Sequence, residues 1–115
     1  MRKFQVITLF PDMLTGVFES SMLWKAQKDN IVQLASVDLR QFGLGKRKTV
    51  DDTPYGGGDG MLLRPEPLFD AVELAKKNDP TAKVVLMTPR GTRWTQQIAQ
   101  EWSQSDDGYI FICGR

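Results

Sequence analysis

Histidine is absent from these 115 residues. Its absence removes the usual side chain that titrates near neutrality and the commonest zinc ligand, so Ser-His-Asp and Cys-His catalysis are excluded within this stretch. Cysteine is nearly absent too. Cys113 alone can form neither an intramolecular disulfide nor a cysteine-rich metal site, and nothing indicates an oxidising compartment. With no histidine to activate it, Cys113 reads as a small buried hydrophobe rather than a nucleophile. A long apolar run is also missing: Phe4 to Phe10 is broken by Pro11-Asp12 too early for a signal peptide or a membrane span. A soluble cytoplasmic protein is therefore expected. Neither charge is in surplus, since fifteen Lys plus Arg against fourteen Asp plus Glu leave +1. Any polyanionic partner must be argued from local patches.

What is present suits one globular domain. Apolar residues at 41% and charged residues at 25% exclude a disordered acidic chain, a collagen and a basic tail. The length favours a single core drawn from most of the chain.

Phe4 to Phe10 is dense in β-branched and aromatic residues and reads as a buried first strand. Pro11 and Asp12 suit a first helical turn, giving a helix over Met13 to Glu19. Ser20 or Ser21 can cap a second helix through about Lys28, and Ile31 to Val37 is a second strand. Leu39 to Gly60 differs: it holds six of the ten glycines, lacks periodicity and reads as one long loop. From Pro67, Leu68, Ala71, Val72 and Ala75 recur at helical spacing. Lys83 to Met87 is a strand stopped by Thr88-Pro89-Arg90-Gly91. Thr95 is a candidate N-cap for a helix whose face includes Trp94, Ile98 and Trp102, and Tyr109 to Cys113 is a last strand. This alternation predicts an α/β fold, a mostly parallel sheet flanked by helices on both faces. The chain stops at Gly114-Arg115, directly after a strand and without a closing helix, so a fragment of a longer protein is expected.

Five segments draw functional attention. Pro54-Tyr55-Gly56-Gly57-Gly58-Asp59-Gly60-Met61 lets another molecule approach the main chain and offers N–H groups to a base edge or a phosphate. Its spacing matches neither a mononucleotide P-loop nor a dinucleotide fingerprint, and as composition alone a flexible linker fits equally. Lys46-Arg47-Lys48 suits phosphate contacts, or simply a solvated surface. Asp51-Asp52 reads as a general base, a contact to a purine edge or a turn cap. Leu86-Met87-Thr88-Pro89-Arg90-Gly91, at the carboxyl end of a strand, can hold an adenine edge or merely turn the chain. Cys113-Gly114-Arg115 occupies the equivalent end of the last strand.

Four motifs occur in order: Thr8-Leu9-Phe10-Pro11-Asp12-Met13, Thr49 to Met61, Thr88-Pro89-Arg90-Gly91, and Ile112-Cys113-Gly114-Arg115. Together they resemble the bacterial tRNA (guanine-N1)-methyltransferases, over the whole chain. The resemblance implies a SPOUT-type methyltransferase domain with a trefoil knot, working as a homodimer. It also implies methyl transfer from S-adenosylmethionine to N1 of the guanosine 3′ of the tRNA anticodon, tRNA position 37. On that resemblance, residues 1–115 are the amino-terminal part of one methyltransferase domain. The rest of the knot and a carboxy-terminal tRNA-binding domain would lie outside them, as would the aspartate that takes the N1 proton and the arginine that orients guanine. No catalytic residue is therefore assigned here, and isolated activity is not expected. Leu86, Met87, Thr88, Pro89 and Gly114 match the family's cofactor-binding loops. Asp52, Gly58, Asp59 and Gly60 match the segment that approaches the target guanine, and Lys46, Arg47 and Lys48 are expected to attract tRNA phosphates. Where the family often has tyrosine, serine and a histidine, this chain has Leu86, Thr88 and the basic triplet. No metal ligand set is visible.

Two other readings remain open at this point. One is a non-catalytic nucleotide- or RNA-binding α/β module, and the other an assembly domain whose free sheet edge pairs with another chain.

Overall fold

Apolar β-branched and aromatic runs become strands here, and amphipathic runs between them become helices. The computed structural model describes residues 1–42, 51–52, 62–63 and 65–113, with the backbone alone for 51–52 and 62–63. In chain order the elements are β1 (Arg2–Thr8), α1 (Pro11–Phe18), α2 (Ser21–Lys28), β2 (Val32–Asp38), a 3₁₀ turn (Leu39–Phe42), β3 (Asp51–Asp52), β4 (Leu62–Leu63), α3 (Pro65–Asn78), β5 (Lys83–Met87), α4 (Gln96–Ser103) and β6 (Tyr109–Cys113). β1, β2, β5 and β6 form one parallel sheet in the order β2-β1-β6-β5. All four strands therefore end on the same edge of the sheet.

The strand pleat sorts the core into two faces. Ile7, Val37, Ile110 and Ile112 meet Ala71 and Ala75 of α3 in the main buried cluster. Gln5 shares that face, and its Nε2 donates to the Ala75 carbonyl at 3.0 Å, which satisfies a buried amide. On the opposite face, Phe4 stacks on Tyr109, and Trp102 of α4 lies flat on Tyr109 with ring centroids 4.0 Å apart. Phe18, Leu23 and Ala26 of α1 and α2 border a groove over Phe4, Val6 and Leu34 on this same side. Helices thus flank both faces, as the alternating pattern predicts.

The differences from expectation have local causes. Leu39 to Gly60 is not all loop: Asp38 Oδ1 accepts from the Arg40 N–H at 2.9 Å, starting the 3₁₀ turn, and Leu39 is buried in the core. β3 then pairs antiparallel with β4. α3 begins at Pro65, not Pro67, because proline is tolerated throughout a first helical turn. Ser20 occupies the N-cap of α2 without capping it, since its hydroxyl donates instead to the Gly16 carbonyl. Strand β5 is less covered than its apolar sequence suggests. Val84, Leu86 and Met87 are 43%, 61% and 54% exposed, because β5 is an edge strand paired only with β6 among the described residues.

Candidate ligand-binding cleft at the strand ends

β5 and β6 run side by side, with Met87 the register partner of Cys113. Thr88 and Pro89 therefore leave the sheet beside the point where the chain leaves β6. The Thr88 hydroxyl accepts from the Arg90 N–H at 3.3 Å, and the Gly91 N–H donates to the Thr88 carbonyl at 3.2 Å. A side chain at Gly91 would place its Cβ 3.2 Å from the Thr88 methyl, tighter than ordinary contact, so glycine suits this turn.

Between β5 and α4 opens a cleft of about 610 Å³. Leu86, Met87 and Thr88 form one wall, Trp94, Ile98 and Trp102 the other, with Phe111 between them. The second wall is held by a helix cap and by aromatic packing. Thr95 caps α4 by accepting from the Ile98 N–H at 3.2 Å, and Trp102 is held between the flat face of Tyr109 and the edge of Trp94, 4.9 Å away. A space of this size with apolar and aromatic walls and a few hydroxyls is what a flat heterocyclic ligand requires. Burial pushes the Cys113 thiol up from its ordinary 9.0, so it stays protonated and unreactive at neutral pH. Among the described residues, no group of three Cys, Asp or Glu side chains is placed to hold a metal ion. No helix among them is long and apolar enough to cross a membrane.

Of the residues the sequence singles out for the cofactor, Leu86, Met87 and Thr88 line this cleft, while Pro89 is exposed in the adjoining turn. Gly114 lies outside the described residues, directly after Cys113. Asp52 lies in β3 with Leu62 as its register partner. Lys46, Arg47, Lys48, Gly58, Asp59 and Gly60 are outside the described residues. Sequence reasoning treats Trp94, Ile98 and Trp102 as a helix face and misses their part in the cleft. The available signal is Trp94 itself, which precedes the N-cap, just after the strand-end turn.

Comparison with known proteins bears on the same segment. Curated tRNA (guanine-N(1)-)-methyltransferases of Bacillus cereus and Bacillus anthracis are each 50% identical to this chain over 113 residues, 97% of this chain and 46% of the relative. A crystal structure of tRNA (m1G37) methyltransferase from Aquifex aeolicus matches with a TM-score of 0.86 and 33% identity, covering 99% of this chain and 51% of that one. The chain thus spans about half the length of the relatives it matches. Since the family model for tRNA (Guanine-1)-methyltransferase TrmD matches residues 2–115, which include every residue that builds this sheet and its cleft, the chain belongs to that family.

Proposed function

We propose that these residues form part of a methyltransferase that moves a methyl group from S-adenosylmethionine to N1 of a tRNA guanosine, the one 3′ of the anticodon. The observation that carries the reading is the family match across the residues that form the cleft. S-adenosylmethionine, when bound, supplies the electrophilic methyl carbon. The cleft fits its adenosine portion: the volume is adequate, the walls are apolar, and the Thr88 hydroxyl and backbone groups at the end of β5 are available for a purine edge.

Leu86, Met87, Thr88, Pro89 and Gly114 then hold the cofactor, with Trp94 and Trp102 excluding water from one side. Guanine N1 carries a proton and is a poor nucleophile, so transfer needs a base, donors for charge developing on O6, and an in-line arrangement. In this reading Gly58, Asp59 and Gly60 bring backbone donors close to guanine, Asp52 contacts it, and Lys46, Arg47 and Lys48 attract tRNA phosphates. The base lies outside residues 1–115, in the position the family resemblance implies. A SPOUT-type knotted domain, a homodimer and a cytoplasmic location belong to the same reading.

The test is calorimetric titration of the full-length protein with S-adenosylmethionine, together with methyl transfer to tRNA carrying guanosine or adenosine at position 37. Transfer to the guanosine tRNA alone is expected. No transfer by a folded, cofactor-binding protein overturns the reading.

A further inference from the structure

Between Asp79 and Glu101 the chain contains Lys83, Arg90 and Arg93 and no carboxylate. In a protein of formal charge +1 this is a local surplus of one sign. Lys83 is neutralised by Asp107 at 2.9 Å, at the amino end of β5. The other two cations sit at the carboxyl end.

The described arginines divide sharply in what they do. Arg2 Nε donates to the Asp107 carbonyl at 2.9 Å and its guanidinium lies over Phe4 and Tyr109. Arg40 Nε donates to the Leu9 carbonyl at 3.3 Å and its guanidinium lies over Phe10. Arg90 and Arg93 are exposed, and among the described residues neither side chain has a hydrogen-bond or carboxylate partner. Gly91, Thr92 and Trp94 line the cleft, and the exposed Arg90 and Arg93 alternate with them along the chain, so both arginines border the cleft without lining it. Their backbone is held by the Thr88 turn on one side and the Thr95 cap on the other. Three residues apart, they are separated by no more than about 10 Å of chain, close enough to serve neighbouring phosphates of one strand. A guanidinium fork matches phosphate geometry, and two such forks without an internal partner are suited to a ligand carrying several phosphates.

We propose that Arg90 and Arg93 are RNA-backbone contacts on the rim of the cleft, holding the phosphates beside the guanosine that is methylated. The proposal rests on the function proposed above and adds to it the residues that fix the RNA strand at the cofactor side.

The experiment compares the full-length protein with its R90Q/R93Q and R90K/R93K variants. Removing two phosphate contacts is expected to lower the slope of log affinity against log salt by about 1.5 and to raise KM for tRNA several-fold. The cofactor affinity and kcat are expected to stay within about twofold, and the lysine pair to recover most of the tRNA affinity. An unchanged salt slope and KM, with wild-type transfer intact, overturns this inference alone. A parallel loss of cofactor affinity also overturns it, since the arginines would then serve the cleft itself. Accessibility gives a separate readout: phenylglyoxal should modify both arginines in the free protein and neither in the presence of tRNA. Resistance of both in the free protein means another part of the protein covers them, and overturns the proposal. Absence of transfer and of tRNA binding in the wild type overturns both this inference and the function on which it rests.

Discussion

Met87 and Cys113 end neighbouring parallel strands as register partners, so the chain departs from β5 and from β6 at one place on the sheet edge. Two strand ends far apart in sequence are thereby brought side by side by backbone hydrogen bonding alone. The side chains of both residues lie on the same side of the pleat as Phe111 and Tyr109, against which α4 packs.

A charge introduced into the cleft separates binding from folding. Met87 is 54% exposed on an edge strand, so Met87→Asp removes partial burial and a better strand former, at an expected cost of about 1 kcal/mol. The carboxylate would be desolvated by an adenosine against the apolar wall, and cofactor affinity is expected to fall at least about tenfold. Calorimetric titration and a urea midpoint on the same preparation measure the two effects.

Loss of the α4 cap acts through the second wall. Thr95 accepts from the Ile98 N–H, and Thr95→Ala is expected to cost about 1 kcal/mol, while Thr95→Ser keeps most of the capping energy. Because Trp94 and Ile98 flank the cap and line the cleft, the alanine variant is also expected to weaken cofactor binding by a few-fold. Thermal unfolding with and without S-adenosylmethionine separates the contributions, since the ligand-induced shift should shrink as well as the midpoint.

Much of this architecture is legible in the sequence because each strand is a short apolar run and each helix has a periodic face. Lys83 to Met87 and Tyr109 to Cys113 have the predicted limits, and Thr95 caps as its position predicts. The exposure of β5 is not legible: Val84, Leu86 and Met87 look like core residues, and only the strand order reveals that they occupy an edge. Nor is the cleft, because Trp94 and Trp102 have the same spacing whether they face a sheet or a ligand. The hairpin of Asp51–Asp52 with Leu62–Leu63 rests on two residues per strand, too short for any period to register.

The ion pair at the amino end of β5 sets a pH dependence. The hydrogen bond from Lys83 holds the Asp107 carboxyl below its ordinary 3.8, with Ser105 adding to the effect. The same hydrogen bond, with the carboxylate charge, holds the Lys83 ammonium above its ordinary 10.5. The depressed Asp107 contributes stability above pH 3.8 that is lost as pH falls through its lowered value. The raised Lys83 contributes stability below pH 10.5 that is lost as pH rises through its raised value. The difference in urea midpoint between wild type and Asp107→Asn is therefore expected to be flat between these limits and to shrink outside them. Both partners are substantially exposed, so the difference should be small and should shrink further in high salt. A difference that grows below pH 3 would contradict the assignment.

Gly108 tests the amino end of the sheet. Its carbonyl accepts from the Lys83 N–H at 3.0 Å, which ties the start of β6 to the start of β5. A Cβ at this position would lie 2.9 Å from the Lys3 carbonyl and against the Asp79 carboxylate. The carboxylate can swing away, whereas the carbonyl belongs to β1 and moves only with the strand. Gly108→Ala is therefore expected to destabilise by about 1 to 3 kcal/mol, the usual cost of overpacking. Adding Asp79→Ala should recover part of that loss and not all of it, because the contact with β1 remains. Since Gly108 does not line the cleft, cofactor affinity per folded molecule is expected to be unchanged. Urea midpoints of the single and double variants, with calorimetry on the folded fraction, distinguish this from a site effect. Full recovery in the double variant would mean that the carboxylate, and not the strand, is the obstacle.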